Sequence, residues 1–229
     1  MPVAIVTGAS RGLGRAVALD LAGEGWDLVI DGRTNGPLDD VGGAIAKVGG
    51  SVEVVLGDVA DDAHRVSLVR AAEQLGSLDL LVNNASSLGP SPLPRLEQLA
   101  LEALRDVYEV NVIAPLALVQ LALPLLQRSG GIVVAVSSDA AVEAYEGWGG
   151  YGSSKAALDQ LHQVLGVEEP GLRVYVFDPG DMRTDMHQAA FPGEDISDRP
   201  TPESVVPALR ALLASGLPSG RYRSSEVVA

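Results

Sequence analysis

Cysteine is absent from the sequence, which excludes a disulfide framework and a thiolate metal site. The three histidines, His64, His162 and His187, are scattered without ligand spacing, so no metal centre is expected. Cations are few: 16 Lys and Arg stand against 30 Asp and Glu, a formal charge of −14 at pH 7. That balance argues against binding nucleic acid or an anionic membrane through a general basic face. A bound phosphate would have to be met by a local group of cations. No apolar stretch approaches the ~20 residues that cross a bilayer. The chain enters a strand-like run directly after Pro2, with no basic segment and apolar region of the signal-peptide kind. The expectation is a cytoplasmic globular protein.

What is present is apolar: 47% of the 229 residues are hydrophobic, enough for a sizeable core. Short apolar runs cover residues 3–6, 28–30, 52–56, 78–82, 132–136 and 174–177. They are nearly continuous rather than alternating, which is how strands covered on both faces read. Between them, residues 15–22, 39–47, 63–75, 97–127 and 153–165 have helix-forming composition. Pro115 and Pro124 are expected to kink or end the longest of these. Strands alternating with helices imply an α/β fold, a doubly wound (Rossmann-type) parallel β-sheet flanked by helices on both faces. A single domain over residues 1–229 is expected. The Gly/Pro/Asp-rich stretch 191–202 is the one long loop, and residues 185–202 are a candidate substrate lid, with a plain surface connection as the alternative.

Four local patterns carry chemistry. Thr7-Gly-Ala-Ser-Arg-Gly-Leu-Gly14 follows the first run and opens a helix. Gly8, Gly12 and Gly14 allow a sharp turn that approaches a pyrophosphate, and the helix start offers free N–H groups and a positive dipole end. Tyr151-Gly-Ser-Ser-Lys155 places a phenol and an ammonium one helical turn apart. A cation held beside a phenol stabilises the phenolate, so the pair can move a proton near neutral pH. Ser138 ends the run Ile132-Val-Val-Ala-Val-Ser-Ser138, and Asn83-Asn84-Ala85 follows the fourth run. In this order, from about residue 3 to about residue 185, the patterns resemble the short-chain dehydrogenase/reductase family.

The resemblance implies an oxidoreductase that moves hydride between a nicotinamide cofactor and a carbonyl or secondary alcohol. Tyr151 would be the general acid/base. Lys155 would bind the nicotinamide ribose and lower the pKa of Tyr151. Ser138 would stabilise the substrate oxygen, and Asn111 would hold a proton-relay water. The glycine turn with Ser10, Arg11 and Leu13, then Asp58 and Val59, Asn83, Asn84 and Ala85, and the loop of Pro179, Gly180 and Thr184 would line the cofactor. Ser86 stands where the family motif has glycine. An acidic residue binds the adenosine ribose in NAD-using members, at the place that aligns with Gly32. Its absence, with Arg33 and Arg11 near, favours NADP(H) over NAD(H). If the second strand ends one residue earlier, Asp31 takes the acidic role and NAD follows.

Tyr145, Trp148, Met182, Met186 and His187 are read as walls of the substrate pocket. The short lid candidate, made acidic by Glu194 and Asp195, disfavours a large anionic substrate and suits a small or medium uncharged carbonyl or alcohol. The alternative function is a dinucleotide-binding sensor or scaffold with little turnover, and a lyase or epimerase using the cofactor is a third. Apolar residues on the helices of Asn111 and Tyr151 (Leu116, Leu118, Val119 and Leu123, with Leu158, Leu161 and Leu165) point to a homodimer through those helices. The short tail lacks the family's Val-Asp-Gly-Gly ending, so a tetramer is less favoured, and a seventh strand is expected around residues 222–228.

Overall fold

Alternate residues of each central strand feed two different cores. In β1 (Val3–Val6), Ala4 and Val6 pack into one cluster while Val3 and Ile5 pack into another, and all four are buried. That is the physical meaning of an unbroken apolar run: a strand has two faces, and here both are covered. The computed structural model describes residues 1–227. It holds a seven-stranded sheet in the order β3-β2-β1-β4-β5-β6-β7, with every neighbouring pair parallel. The remaining strands are β2 (Asp27–Gly32), β3 (Val52–Leu56), β4 (Leu80–Asn83), β5 (Ile132–Val136), β6 (Arg173–Asp178) and β7 (Gly220–Arg223). Strand order reverses between β1 and β4, and the carboxyl ends flanking such a switch point form the crevice of an open α/β sheet.

Helices α1 (Gly12–Gly23), α2 (Asn35–Lys47) and α3 (Asp62–Leu75) follow the first three strands. The fourth connection contains α4 (Leu101–Tyr108), a π-helical turn at Glu109–Ile113 and α5 (Ala114–Ser129). Here two expectations are corrected. The prolines do not end the helix: residues 101–129 are continuous, and Pro115 is accommodated just after the wide turn. The joined helix of 29 residues is long and apolar enough to cross a membrane, with a mean hydropathy of 1.8 in an 18-residue window. Half of that window is buried inside the fold, with Leu118, Val119, Ala122, Leu125 and Leu126 covering the sheet. The apolar length is that of a core helix.

Helix α6 (Gly149–Glu168) carries the Tyr–Lys pair. After β6 come α7 (Asp185–Ala190), an irregular stretch, and α8 (Pro202–Ser215). Helix α8 was not among the expected elements, although Pro202 at its start and Val205, Val206, Leu209 and Leu212 on one face are its signals. Strand β7 is shorter and earlier than expected, and position 228 lies outside the described residues.

Candidate active site

The glycine turn is built so that side chains would spoil it. Gly8 and Gly12 have φ of +66° and +56°, a region that favours glycine. A Cβ on Gly14 would fall 2.5 Å from the Gly8 carbonyl oxygen, so Gly14 underlies the turn and does not line the cleft. Thr7 Oγ1 accepts the N–H groups of Asn84 and Ala85 at 3.0 Å, and Asn84 Nδ2 donates to the Thr7 carbonyl at 2.7 Å. These bonds sew the end of β1 to the segment after β4. The first turn of α1 has no acidic residue and no side-chain cap, which leaves its N–H groups to an external anion.

Strand β2 runs through Asp31 to Gly32, so Gly32 occupies the strand end. Asp31 points inward instead. Its Oδ1 accepts the Gly8 N–H at 2.6 Å and its Oδ2 meets His64 Nε2 at 2.9 Å. Both are buried, and burial pushes the Asp31 carboxyl up while His64 and the Gly8 N–H oppose it. The carboxylate that left the cofactor choice open lines the cleft and is engaged with the turn and His64. A Cβ at Gly32 would meet Ser10, 3.1 Å away. Arg11 and Arg33 flank this place and are largely exposed, each near a carboxylate: Arg11 Nη1 is 3.1 Å from Asp185, and Arg33 Nη1 is 3.7 Å from Asp58. Exposed pairs of this kind are worth only about 0–1 kcal/mol, so either guanidinium can be redirected to a phosphate.

These residues share one cleft of 840 Å³. Gly8, Ser10, Arg11, Gly12, Leu13, Gly32, Arg33, Asp58 and Val59 form one end, and Asn84 and Ala85 the floor. Ser138, Tyr151 and Lys155 stand further along, facing Pro179, Gly180 and Thr184. Asn83 does not belong to the set. It is buried at the end of β4, and its Nδ2 lies 3.3 Å from His162 Nε2.

Tyr151 and Lys155 are buried on the first turns of α6, with the Lys155 ammonium 5.6 Å from the Tyr151 ring centroid. Lys155 Nζ donates to the Val136 carbonyl at 2.8 Å. Burial lowers its pKa to about 8, with Asp159 opposing. Burial also raises the Tyr151 phenol, opposed by the hydroxyls of Ser86 and Ser138. In the free protein desolvation outweighs these hydroxyls, and Lys155 is not among the groups that lower the Tyr151 phenol. Ser138 caps a 3₁₀ turn, accepting from the Ala140 N–H at 3.2 Å and donating to Asp139 Oδ1 at 2.9 Å.

Asn111 is fully buried in the π turn, outside the cleft lining. Its Oδ1 accepts from Ser87 N at 2.7 Å and Ser86 Oγ at 3.1 Å, and its Nδ2 donates to the Ser87 carbonyl and Ser154 Oγ at 2.9 Å. Two donors and two acceptor sites are all that an amide has. The expected relay water therefore finds no capacity on the side chain.

On the substrate side, Trp148, Met182, Met186 and His187 line the cleft. Tyr145 does not. Its hydroxyl donates toward Glu143 at 2.8 Å and Asp139 at 3.0 Å, and the ring lines an outer groove between residues 95–104 and 140–156. Phe191 was missed by sequence reasoning. It lies 5.8 Å from Trp148 and 4.9 Å from His187, centroid to centroid, and closes an aromatic wall. Its position at the head of the loop candidate, in a chain with two phenylalanines, was the only signal. His187 Nε2 is buried without a hydrogen-bond partner among the described residues.

A glycine turn, a switch-point cleft, and a Ser138 beside the buried Tyr151 and Lys155 are the features of a dinucleotide-binding class of α/β fold. The family model described as short chain dehydrogenase matches residues 2–195, and the chain belongs to this family. An uncharacterized oxidoreductase of Saccharomyces cerevisiae is 36% identical over 187 residues, covering 80% of this chain and 72% of the relative. The sepiapterin reductase of Rattus norvegicus is 34% identical over 201 residues, covering 82% and 77%. A solved short chain dehydrogenase from Shigella flexneri, complexed with NADP, superposes with a TM-score of 0.91 at 30% identity, covering 98% of this chain and 97% of its own.

Proposed function

We propose that this chain reduces a small or medium uncharged carbonyl compound with NADPH, or runs the reverse oxidation. The observation that carries the proposal is the convergence of Ser138, Tyr151 and Lys155 on the cleft whose other end is the glycine turn. The turn fits a pyrophosphate because its helix N–H groups are free and its glycines admit close approach. Arg11 and Arg33 suit a 2′-phosphate, with Gly32 offering no carboxylate to repel it. Asp58 and Val59 would border the adenine, and Pro179, Gly180 and Thr184 the nicotinamide. When bound, NADPH supplies the hydride.

The chain's own residues supply position and proton. Lys155 would turn its ammonium to the nicotinamide ribose hydroxyls. Ser138 would exchange its bond to Asp139 for one to the substrate oxygen, stabilising the charge that develops there. Tyr151, whose phenol burial pushes up, would donate its proton to that oxygen. Asn111 contributes through the main chain. Pro115 has no N–H, so a carbonyl at 110 or 111 lacks that helical donor and is free to hold the relay water. Residues 185–202 would act as a lid carrying Met186, His187 and Phe191 over the substrate. Residues 1–229 would act as one domain, and a homodimer through α5 and α6 would be the working form.

Absorbance screening of NADPH oxidation and NADP reduction over a panel of small carbonyls and alcohols tests the proposal. Tyr151→Phe should lower turnover by at least ~10²-fold while NADPH affinity holds, the range for general acid–base catalysis. Near-parental turnover in that variant would remove Tyr151 from the mechanism. Tight NADPH binding with no turnover on a broad panel would favour the sensor or scaffold instead.

A further inference from the structure

A guanidinium outside the cleft lining, which the catalytic set does not include, bonds to the main chain of Ser138. Arg221 sits on β7, opposite Val176 of β6, with its side chain mostly buried. Its Nε donates to Asp159 Oδ2 at 3.0 Å. Its Nη2 donates both to Asp178 Oδ2 and to the main-chain carbonyl of Ser138, each at 2.9 Å. Each acceptor belongs to a different element of the site. Ser138 ends the β5 segment and carries the hydroxyl. Asp159 lies one helical turn beyond Lys155 on α6. Asp178 ends β6, and its Oδ1 accepts the Gly180 N–H at 3.0 Å, shaping the Pro179–Gly180 loop.

We propose that Arg221 is a positioning residue that clamps the Ser138 main chain, the Lys155 helix and the Pro179–Gly180 loop into one rigid frame. The proposal rests on the oxidoreductase proposal above for its catalytic consequence, but the clamp itself stands on these contacts. Asp159 and Asp178 are both buried, and unpaired buried carboxylates are costly. A planar fork can serve such acceptors from fixed directions, which a single ammonium cannot. Holding the Ser138 carbonyl fixes the extended backbone from which its hydroxyl projects. Arg223 reinforces the frame from outside, with Nε 3.6 Å from Asp178 and Nη2 3.3 Å from Glu143.

The test compares the full-length parent, Arg221→Gln, Arg221→Lys and the double variant Arg221→Gln/Asp159→Asn. Hydrogen exchange and kinetics are both read. Arg221→Gln should speed amide exchange in residues 137–141 and 155–160 while β1 to β3 stay protected. It should lower kcat by ~10-fold or more, the scale expected when catalytic geometry loosens, with NADPH affinity largely kept. Arg221→Lys should recover part of kcat because it restores charge without the fork. The double variant should regain thermal stability lost in Arg221→Gln because one unpaired carboxylate is gone. Unchanged exchange in both segments overturns the clamp. So does a fall in kcat matched by an equal fall in NADPH affinity, with Lys no better than Gln. If Arg221→Gln does not fold, Arg221→Lys carries both readouts, and parental exchange and kcat there overturn the proposal. A parent without turnover counts against the oxidoreductase proposal alone, and the exchange pattern still decides the clamp.

Discussion

At the scale of single residues, burial pushes Tyr151 and Lys155 toward their neutral forms, and the two shifts differ in consequence. A neutral phenol is the proton donor that carbonyl reduction requires. Lys155 at about 8 holds its charge only below that value. Capture of an anionic cofactor by the free protein should weaken when that charge is lost. The kcat/KM for NADPH, which reports groups of the free enzyme, should therefore fall as pH rises through about 8. Lys155→Met should erase this limb together with most activity, and a parent profile that is flat across that value would sink the assignment. The cofactor's other end is set by what is missing at Gly32 and by where Asp31 points. Gly32→Asp with Arg33→Ile should lower the kcat/KM preference for NADPH over NADH by at least ~10-fold. A lost charge-assisted contact of about 1.5–3 kcal/mol accounts for that. A parent that already prefers NADH would show that the buried Asp31 carboxylate does more than hold Gly8 and His64.

At the scale of elements, the π turn between α4 and α5 is the joint on which the site depends. Asn111 ties it to residues 86–87 and, through Ser154, to the helix bearing Tyr151 and Lys155. Removing the amide strands the half-buried Ser87 N–H and leaves the buried Ser154 one partner fewer. Asn111→Ala should cost about 1–3 kcal/mol or more in urea unfolding, the penalty for unsatisfied buried polar groups. It should also lower turnover, since two catalytic walls lose their tie. An unfolding midpoint equal to the parent's would show that the loop closes without it.

At the scale of the whole molecule, the apolar faces of α5 and α6 divide differently than their composition suggested. Leu118, Val119 and Leu158 are buried in the fold, so Leu158→Glu would wreck the core before it tested an interface. Ile113, Leu121, Val164 and Val167 remain outward, the last at 81% exposure. Outward apolar residues on neighbouring helices favour a self-complementary contact. Light scattering after size exclusion should give a dimer at micromolar concentration. Leu121→Glu with Val164→Glu should shift it toward monomer while leaving the circular dichroism of the fold intact. A monomeric parent would remove the homodimer, and a tetramer would mean that β7, for all its shortness, supports a second contact.

Local chemistry alone determined the first six strands with the helices between them, the glycine turn and the family resemblance. Those signals lie within a few residues of one another, where periodicity and turn residues act. Helix α8 was readable in principle from Pro202 and the spacing of Val205, Leu209 and Leu212, but the loop before it obscured its start. Tertiary structure alone decided which polar groups meet. Asn83 turned to His162, Asp31 turned to His64, and Asn111 was used up by residues 86–87 and 154. Arg221, in a tail that looked merely short, reached back 83 positions to the Ser138 carbonyl. A side chain's direction at a strand end depends on which buried donors and acceptors the packed elements leave unpaired. That balance exists only once the sheet has assembled.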